Sequence, residues 1–200
     1  MKICIWDTET TGFPVKEWKL EQQPYIIQFA AIVFDFSEDA SIAEIERHNM
    51  LIKPRVSIPF GASQVHGIYD KDVVDVPYIE EYIDIIMKVL NGADIVVGHN
   101  ISYDEEILWY ELARIGRVWE YTPSQSICTM RSSTEYCKMP GRGFAWKPPK
   151  LSELHRFLFD EYFDGAHNAL VDVEATGRSF FELVKRGVIK VETKNLLRLF

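Results

Sequence analysis

Asp7 and Glu9 stand two residues apart at the end of an apolar run, in the stretch ICIWDTETTGFP. On a β-strand, positions i and i+2 share a face and lie roughly 7 Å apart along the chain. Two carboxylates so placed can close on a hard cation such as Mg²⁺ or Mn²⁺, which prefers oxygen ligands. The pair alone is a common pattern, and a solvated surface turn explains it equally well. Asp104 lies in VVGHNISYDEE, just past the carboxyl end of a short apolar strand and in the first turn of the helix expected next. An acid there offsets the helix dipole by about 0.3–1 kcal/mol. Glu105 and Glu106 suffice for that, but the carboxyl edge of an open α/β sheet is also where ligands bind. In GAHNALVDVEATG, His167 and Asp172 are five residues apart. Within one ideal helix they would diverge by about 140°. They share a site only if His167 precedes the helix on a lead-in that Gly165 permits, with Asn168 as cap. Taken one at a time, each acid is ordinary, and His167 is a loop histidine.

The surrounding pattern supplies elements to hold these groups. Ile3–Trp6 reads as a buried strand, Tyr25–Phe36 as a long second strand, and Met50–Lys53 as a third ended by Pro54. No strong helix separates them, so antiparallel pairing is expected. Tyr78–Leu90 repeats apolar residues at helical spacing, with Gly92 placed to stop it. Asp94–Gly98 is a short buried strand. The helix after it shows an S-x-x-E capping box at Ser102 and Glu105, with Gly116 beyond its end. Ser126–Thr129 is expected as a strand, followed by helix to Lys138. Leu151–Phe159 is expected as a short helix capped by Ser152, and Asn168–Lys185 as the last long helix. Antiparallel strands followed by alternating β and α predict an α/β fold, a mixed sheet with helices on its faces.

The 200 residues, 47% hydrophobic and 26% charged, suit one compact domain. A formal net charge of −8 argues against general coating of phosphate backbones. It leaves room for a nucleic-acid substrate met by cations or by a local basic patch. Cys4, Cys128 and Cys137 form no CxxC pair, which fits a reducing compartment. Met1–Trp6 is too short for a signal segment, and no run approaches membrane-spanning length, so a soluble cytoplasmic protein without membrane contact is expected.

Together, the early D-x-E-T-T-G, the central H-N-x-x-x-D and the late H-x-x-x-x-D, with VHGI at Val65–Ile68 and the strand IIQFAAIVF, resemble the DEDDh 3′→5′ exonucleases. That family includes proofreading subunits of bacterial replicative polymerases and ribonuclease T. The resemblance covers about Ile3–Lys185. It implies a ribonuclease H-like fold, with three antiparallel strands then parallel additions, flanked by helices. It also implies one exonuclease domain over residues 1–186 with a short tail, 187–200. By the same resemblance Asp7, Glu9, Asp104 and Asp172 would bind two divalent cations, Mg²⁺ or Mn²⁺, and His167 would be the general base. Thr10, Thr11, Gly12 and Phe13 would contact the substrate end, although turn chemistry alone accounts for the Thr-Thr-Gly part. His66 would lie against the terminal sugar or base. Asn100 is a substrate candidate too, but its type also suits fixing the corner by backbone hydrogen bonds. At Gln28 relatives often carry Glu, so here the position keeps hydrogen bonding without charge.

KMPGRGFAWKPPK, residues 138–150, reads as a loop that groups Lys138, Arg142, Lys147 and Lys150 with Phe144 and Trp146. Cations can follow a phosphate backbone, and rings can stack on bases for about 1–3 kcal/mol each. An ordinary solvated loop is the competing account. The end LLRLF is similar to short sliding-clamp-binding peptides, but Leu196 replaces their usual Gln. Packing of the tail on its own domain is therefore the stronger expectation, with a polymerase or sliding clamp as the alternative partner. The leading expectation is metal-dependent hydrolysis of the 3′-terminal phosphodiester of single-stranded or frayed DNA, giving nucleoside 5′-monophosphates, with proofreading as one role. The alternatives are an RNA-trimming 3′→5′ exoribonuclease and a non-catalytic nucleic-acid-binding polymerase accessory module. Crowded carboxylates argue against the module, and scattered cysteines with no paired His spacing argue against a zinc enzyme.

Overall fold

The computed structural model describes residues 1–37, 41–141, 143 and 145–191. Five strands form one sheet: β1 (Lys2–Thr10), β2 (Ile26–Phe36), β3 (Ile42–Leu51), β4 (Ile95–Gly98) and β5 (Ser126–Cys128). Their order is β3-β2-β1-β4-β5. The pairs β1/β2 and β2/β3 are antiparallel, while β1/β4 and β4/β5 are parallel. This is the mixed α/β sheet expected, with three antiparallel strands and parallel additions.

Strand β1 shows how sequence alternation builds two cores. Cys4 and Trp6 pack on one face against helices α3 (Ile79–Asn91) and α4 (Ile101–Arg114). Ile3 and Ile5 pack on the other against α6 (Leu151–Phe159) and α7 (Ala169–Lys185). Each fully buried side chain of this size is worth about 1.5–3 kcal/mol. Asp7 and Glu9 continue the parity of Ile3 and Ile5, so the strand delivers both acids to the α7 face. Thr8, between them, faces α4.

The start of β2 is pinned by a buried ion pair. Glu111 accepts the Ile26 N–H at 2.8 Å and pairs with Arg114 at 2.9 Å. Arg114 in turn donates to the carbonyls of Leu20, Gln23 and Pro24 and lies over the Tyr25 ring. These donors and acceptors satisfy the irregular segment before the strand.

Several expectations are corrected. The third strand is β3, Ile42–Leu51, rather than Met50–Lys53; its mostly exposed edge position hides the apolar alternation. The cap of α4 is Asn100, not Ser102, and Glu105 instead accepts the hydroxyls of Tyr121 and Ser126. The cap of α6 is Lys150 rather than Ser152; Glu153 reaches back to its N–H at 2.7 Å. Short helices α1 (Phe60–His66) and α2 (Asp70–Val73) occupy a stretch where none was expected. Helix α5 (Thr129–Cys137) follows β5 as expected. The basic stretch after it is not simply a loop, because Met139–Pro140 and Trp146–Lys147 pair as a small hairpin, β6 and β7. Among the described residues, no helix is long and apolar enough to cross a membrane.

Candidate active site

Three elements converge at the carboxyl end of β1. The strand presents Asp7 and Glu9, α4 presents Asp104 from its first turn, and α7 presents Asp172 from its first turn. Asp7, Glu9 and Asp172 each offer a carboxylate oxygen, and the three oxygens lie within 4.8 Å of one another. Asp104 stands beside this cluster. Its Oδ1 accepts both the Thr8 N–H at 3.0 Å and the Thr8 hydroxyl at 2.7 Å. Asp172 is held differently. Its Oδ2 accepts the His167 N–H at 3.1 Å, whereas its buried Oδ1 accepts no hydrogen bond.

The local sequence explains these placements. Asn100 adopts a left-handed φ of 72°, a conformation that Asn tolerates better than most residues, and so turns the chain from β4 into α4. Asn168 caps α7, its Oδ1 accepting the Leu170 N–H at 3.2 Å. His167 precedes that cap with a φ of 67°, which takes its ring off the helix and leaves it exposed. The lead-in expected from Gly165 is therefore present, itself at a φ of 81°.

The four acids are electrostatically frustrated. Burial, and then the charges of Asp104, Asp172 and Glu9, hold the Asp7 carboxyl well above its ordinary range. Burial, then Asp172 and Asp104, push Glu9 up to about 8. Burial raises Asp172 to about 6, against the lowering effect of His167. It raises Asp104 as well, against the two Thr8 bonds. Carboxylates that repel and are partly dehydrated gain from a divalent cation between them. The unpartnered Asp172 Oδ1 and the all-oxygen donor set fit such an ion.

A cleft of about 510 Å³ gathers these groups. It is lined by all eleven expected residues of the catalytic and substrate-contact sets: Asp7, Glu9, Thr10, Thr11, Gly12, Phe13, His66, Asn100, Asp104, His167 and Asp172. Thr11 is tied to Tyr25 by two hydrogen bonds at 3.0 Å, and Phe13 stands 80% exposed at the rim. His66 accepts the Ile68 N–H on Nδ1, which leaves Nε2 as the donor nitrogen; that atom is buried without a partner. Pro59, Gly61, Ala62 and Val65 of the α1 region complete the opposite wall.

Among the described residues of 138–150, none lines the cleft. Lys138 ends α5, Lys147 pairs with Glu153 at 2.6 Å, and Trp146 is half-exposed on β7. Lys150 is exposed beside Pro149, whose carbonyl His99 contacts at 3.0 Å from the cleft side. Arg142, Phe144 and the tail segment Leu196–Phe200 lie outside the described residues.

Of the cleft residues that were not expected, Tyr103 and Thr8 hold expected ones in place. Tyr103 donates to the Gly12 carbonyl at 2.8 Å, sits 2.6 Å from Thr10 Oγ1, and packs on Phe13 with ring centroids 5.8 Å apart. Thr8 clasps Asp104. For Tyr103 a signal existed, since it shares the first turn of α4 with Asp104. For Thr8 none did, because its partner lies 96 residues away.

Comparison with known proteins gives this geometry a family. An exonuclease family model, that of ribonuclease T, matches residues 4–180. The 3′-5′ exonuclease DinG of Bacillus subtilis is 30% identical over 186 residues, which cover 92% of this chain but only 18% of that protein. The DNA polymerase III subunit epsilon of Buchnera aphidicola is 26% identical over 182 residues, covering 90% of this chain and 71% of the relative. Among solved structures, the nuclease domain of 3′hExo bound to rAMP, described as a DEDDh family member, superposes with a TM-score of 0.70. It is 16% identical and covers 96% of each chain, a likeness that establishes the ribonuclease H-like fold. This chain spans about a fifth of the Bacillus relative's length. With nearly its whole described length matched, the chain belongs to the ribonuclease T exonuclease family.

Proposed function

We propose that the chain hydrolyses the 3′-terminal phosphodiester of single-stranded or frayed DNA and releases nucleoside 5′-monophosphates. The observation that carries this reading is the meeting of Asp7, Glu9 and Asp172 within 4.8 Å, in one cleft with Asp104 and an exposed His167. Asp7, Glu9, Asp104 and Asp172 would hold two divalent cations, Mg²⁺ or Mn²⁺. When bound, such ions lower the pKa of a water and offset the charge that grows on phosphate oxygens. His167 takes the proton of the attacking water; its ring is free because only its backbone is anchored, to Asp172. Thr8 keeps Asp104 from rotating out of the cleft. Thr10, Thr11 and Gly12, braced by Tyr103 and Tyr25, shape the floor for the terminal nucleotide. Phe13 offers a ring to a base, and His66 Nε2 offers a donor to a sugar or base oxygen. Asn100 serves its corner through the backbone.

The epsilon relative supports a DNA substrate and a proofreading role. The rAMP held by 3′hExo is a specific reason to keep RNA trimming as the second reading. End-labelled DNA and RNA oligomers, digested with Mg²⁺, Mn²⁺ or chelator, separate the two. Metal-dependent shortening from the 3′ end of DNA is the expected result. Shortening of RNA alone would move the assignment to the exoribonuclease, and no cleavage of either polymer would favour a non-catalytic binding module.

The proposed domain is residues 1–186, acting in the cytoplasm, and α7 ends beside that boundary at Lys185. A polymerase or sliding clamp bound through residues 187–200 is the partner this reading adds. Pull-down with and without residues 196–200 tests it.

A further inference from the structure

The first turn of α7 carries the heaviest demand in the cleft, because it sets both Asp172 and the His167 lead-in. Four N–H groups there have named acceptors. His167 donates to Asp172 and Leu170 to Asn168, both from side chains of the same turn, and Asp172 donates to the Asn168 carbonyl at 2.9 Å. The fourth, Ala169 N–H, donates across the molecule to Gln28 Oε1 on β2 at 3.1 Å. Gln28 is 3% exposed and directly opposite Glu9 in the β1/β2 register. It shares the sheet face of Ala30 and Ile32, which pack in the core with Ala169 and Val173. Its amide is oriented from behind, because Nε2 donates to Asn49 Oδ1 on β3 at 2.9 Å. A chain therefore runs from the edge strand through Asn49 and Gln28 into the turn that bears Asp172.

We infer that Gln28 is a positioning residue for the reaction: its side-chain carbonyl seats the first turn of α7 on the sheet, and so sets where Asp172 and His167 stand relative to Asp7 and Glu9. The inference rests on the catalytic reading above. Apolar packing of α7 fixes the helix against the sheet but leaves it free to slide and rotate slightly. One directional hydrogen bond at the level of Glu9 removes that freedom. A misplacement of even 1 Å in a reacting group costs on the order of 100-fold. The position needs an acceptor, and a carboxylate supplies one as well as an amide does. Leucine of similar size supplies none.

The experiment compares Gln28→Leu, Gln28→Glu and the unaltered chain on an end-labelled oligomer, with amide hydrogen exchange over residues 167–172 measured alongside. Gln28→Leu is expected to lower kcat by about 10–100-fold, as removal of an orienting partner does. KM should stay close to the unaltered value, and exchange at Ala169 should rise. Gln28→Glu is expected to restore most of kcat and the protection of Ala169. Unchanged kcat in Gln28→Leu, or equal loss in Leu and Glu variants, would overturn the inference. Where Gln28→Leu does not fold, Asn49→Ala carries the test: it frees the amide behind Gln28 and should give a smaller fall in kcat with raised exchange, unchanged values of both counting against. Asp172→Asn separates the two levels of the argument. If it abolishes cleavage while Gln28→Leu leaves kcat unchanged, the positioning role falls and the site stands. If Asp172→Asn cleaves normally, the catalytic reading itself falls, whatever exchange at Ala169 shows.

Discussion

The chain writes His-Asn-x-x-x-Asp twice, at His99–Asp104 and at His167–Asp172, and each copy opens a helix. The two copies end in opposite states. In the first, His99 is locked: Nδ1 meets the Thr129 hydroxyl and Nε2 the Pro149 carbonyl, both at 3.0 Å. Burial pushes its pKa down to about 4, so the ring stays neutral and both nitrogens are engaged. Its acid, Asp104, has one oxygen doubly bonded by Thr8. In the second copy the histidine ring is exposed and the acid keeps a buried oxygen without a partner. The same local code thus yields one corner whose histidine is held by hydrogen bonds on both nitrogens and one whose histidine ring is exposed. Local sequence fixes the helix start and the acid's place in its first turn. What packs around the corner decides whether the groups are spent on structure or left for chemistry.

The sharpest break of this contrast is the pair of histidine substitutions. His167→Ala should lower kcat by about 10²–10⁴, the usual worth of a positioned general base. Its melting temperature and its thermal response to Mn²⁺ should persist. His99→Ala should do the reverse, costing about 1–3 kcal/mol of stability through its abandoned partners while turnover stays of the same order. Steady-state kinetics and thermal unfolding of both variants check this, and exchanged phenotypes would sink the distinction.

The acids come next. Asp172→Asn should cut activity at least about 100-fold and erase the rise in melting temperature that Mn²⁺ gives, because it neutralises the oxygen left open. Asp104→Asn keeps an acceptor for Thr8, so it should reduce the Mn²⁺ response without erasing it. If both variants lose that response equally, Asp104 belongs to the cation cradle as fully as the other three.

How much of this was legible beforehand follows the same line. The acids could be read from β1 because alternation puts Asp7 and Glu9 on the face of Ile3 and Ile5. Asn168 and the lead-in at Gly165 could be read because capping and left-handed turns are local. The partners that finish the site could not. Thr8 with Asp104, Gln28 with Ala169, and Glu111 with Ile26 are contacts across 85–141 residues, and nothing local marks either end. Local reading also failed where a good cap was outcompeted: Ser102 and Glu105 form a box on paper, but Asn100 had already turned the chain. Edge strand β3 was misplaced because exposure removes the apolar signal that strands are read by.

Protonation sharpens the contrast more gently. With Glu9 raised to about 8 and Asp172 to about 6, the folded cluster binds protons more tightly than the unfolded chain does. Its contribution to stability is then fully present below the unfolded carboxylate range and is lost as pH rises toward about 8. The cation-free protein should therefore lose stability across that window, and Mg²⁺ should raise the melting temperature more at pH 8 than at pH 5.5. Glu9→Gln should flatten the slope and stabilise the cation-free protein by about 1 kcal/mol, at the expense of activity. A cation response independent of pH would show that these carboxylates are not its source.

The smallest effect is expected where the locked corner meets the basic stretch. His99 holds the Pro149 carbonyl, and Lys150 follows it, exposed, beside the cleft rather than in it. Lys147 already pairs with Glu153, so its charge is partly spent. If a single strand leaves the cleft past this corner, Lys150 meets one phosphate. Lys150→Gln should then weaken binding modestly and reduce the slope of log affinity against log salt by about 1, with kcat unchanged on short oligomers. Lys147→Gln should change the slope less, because Glu153 competes with phosphate for that ammonium. Equal slopes in all three proteins would mean the locked histidine braces a solvated hairpin and nothing that touches the substrate.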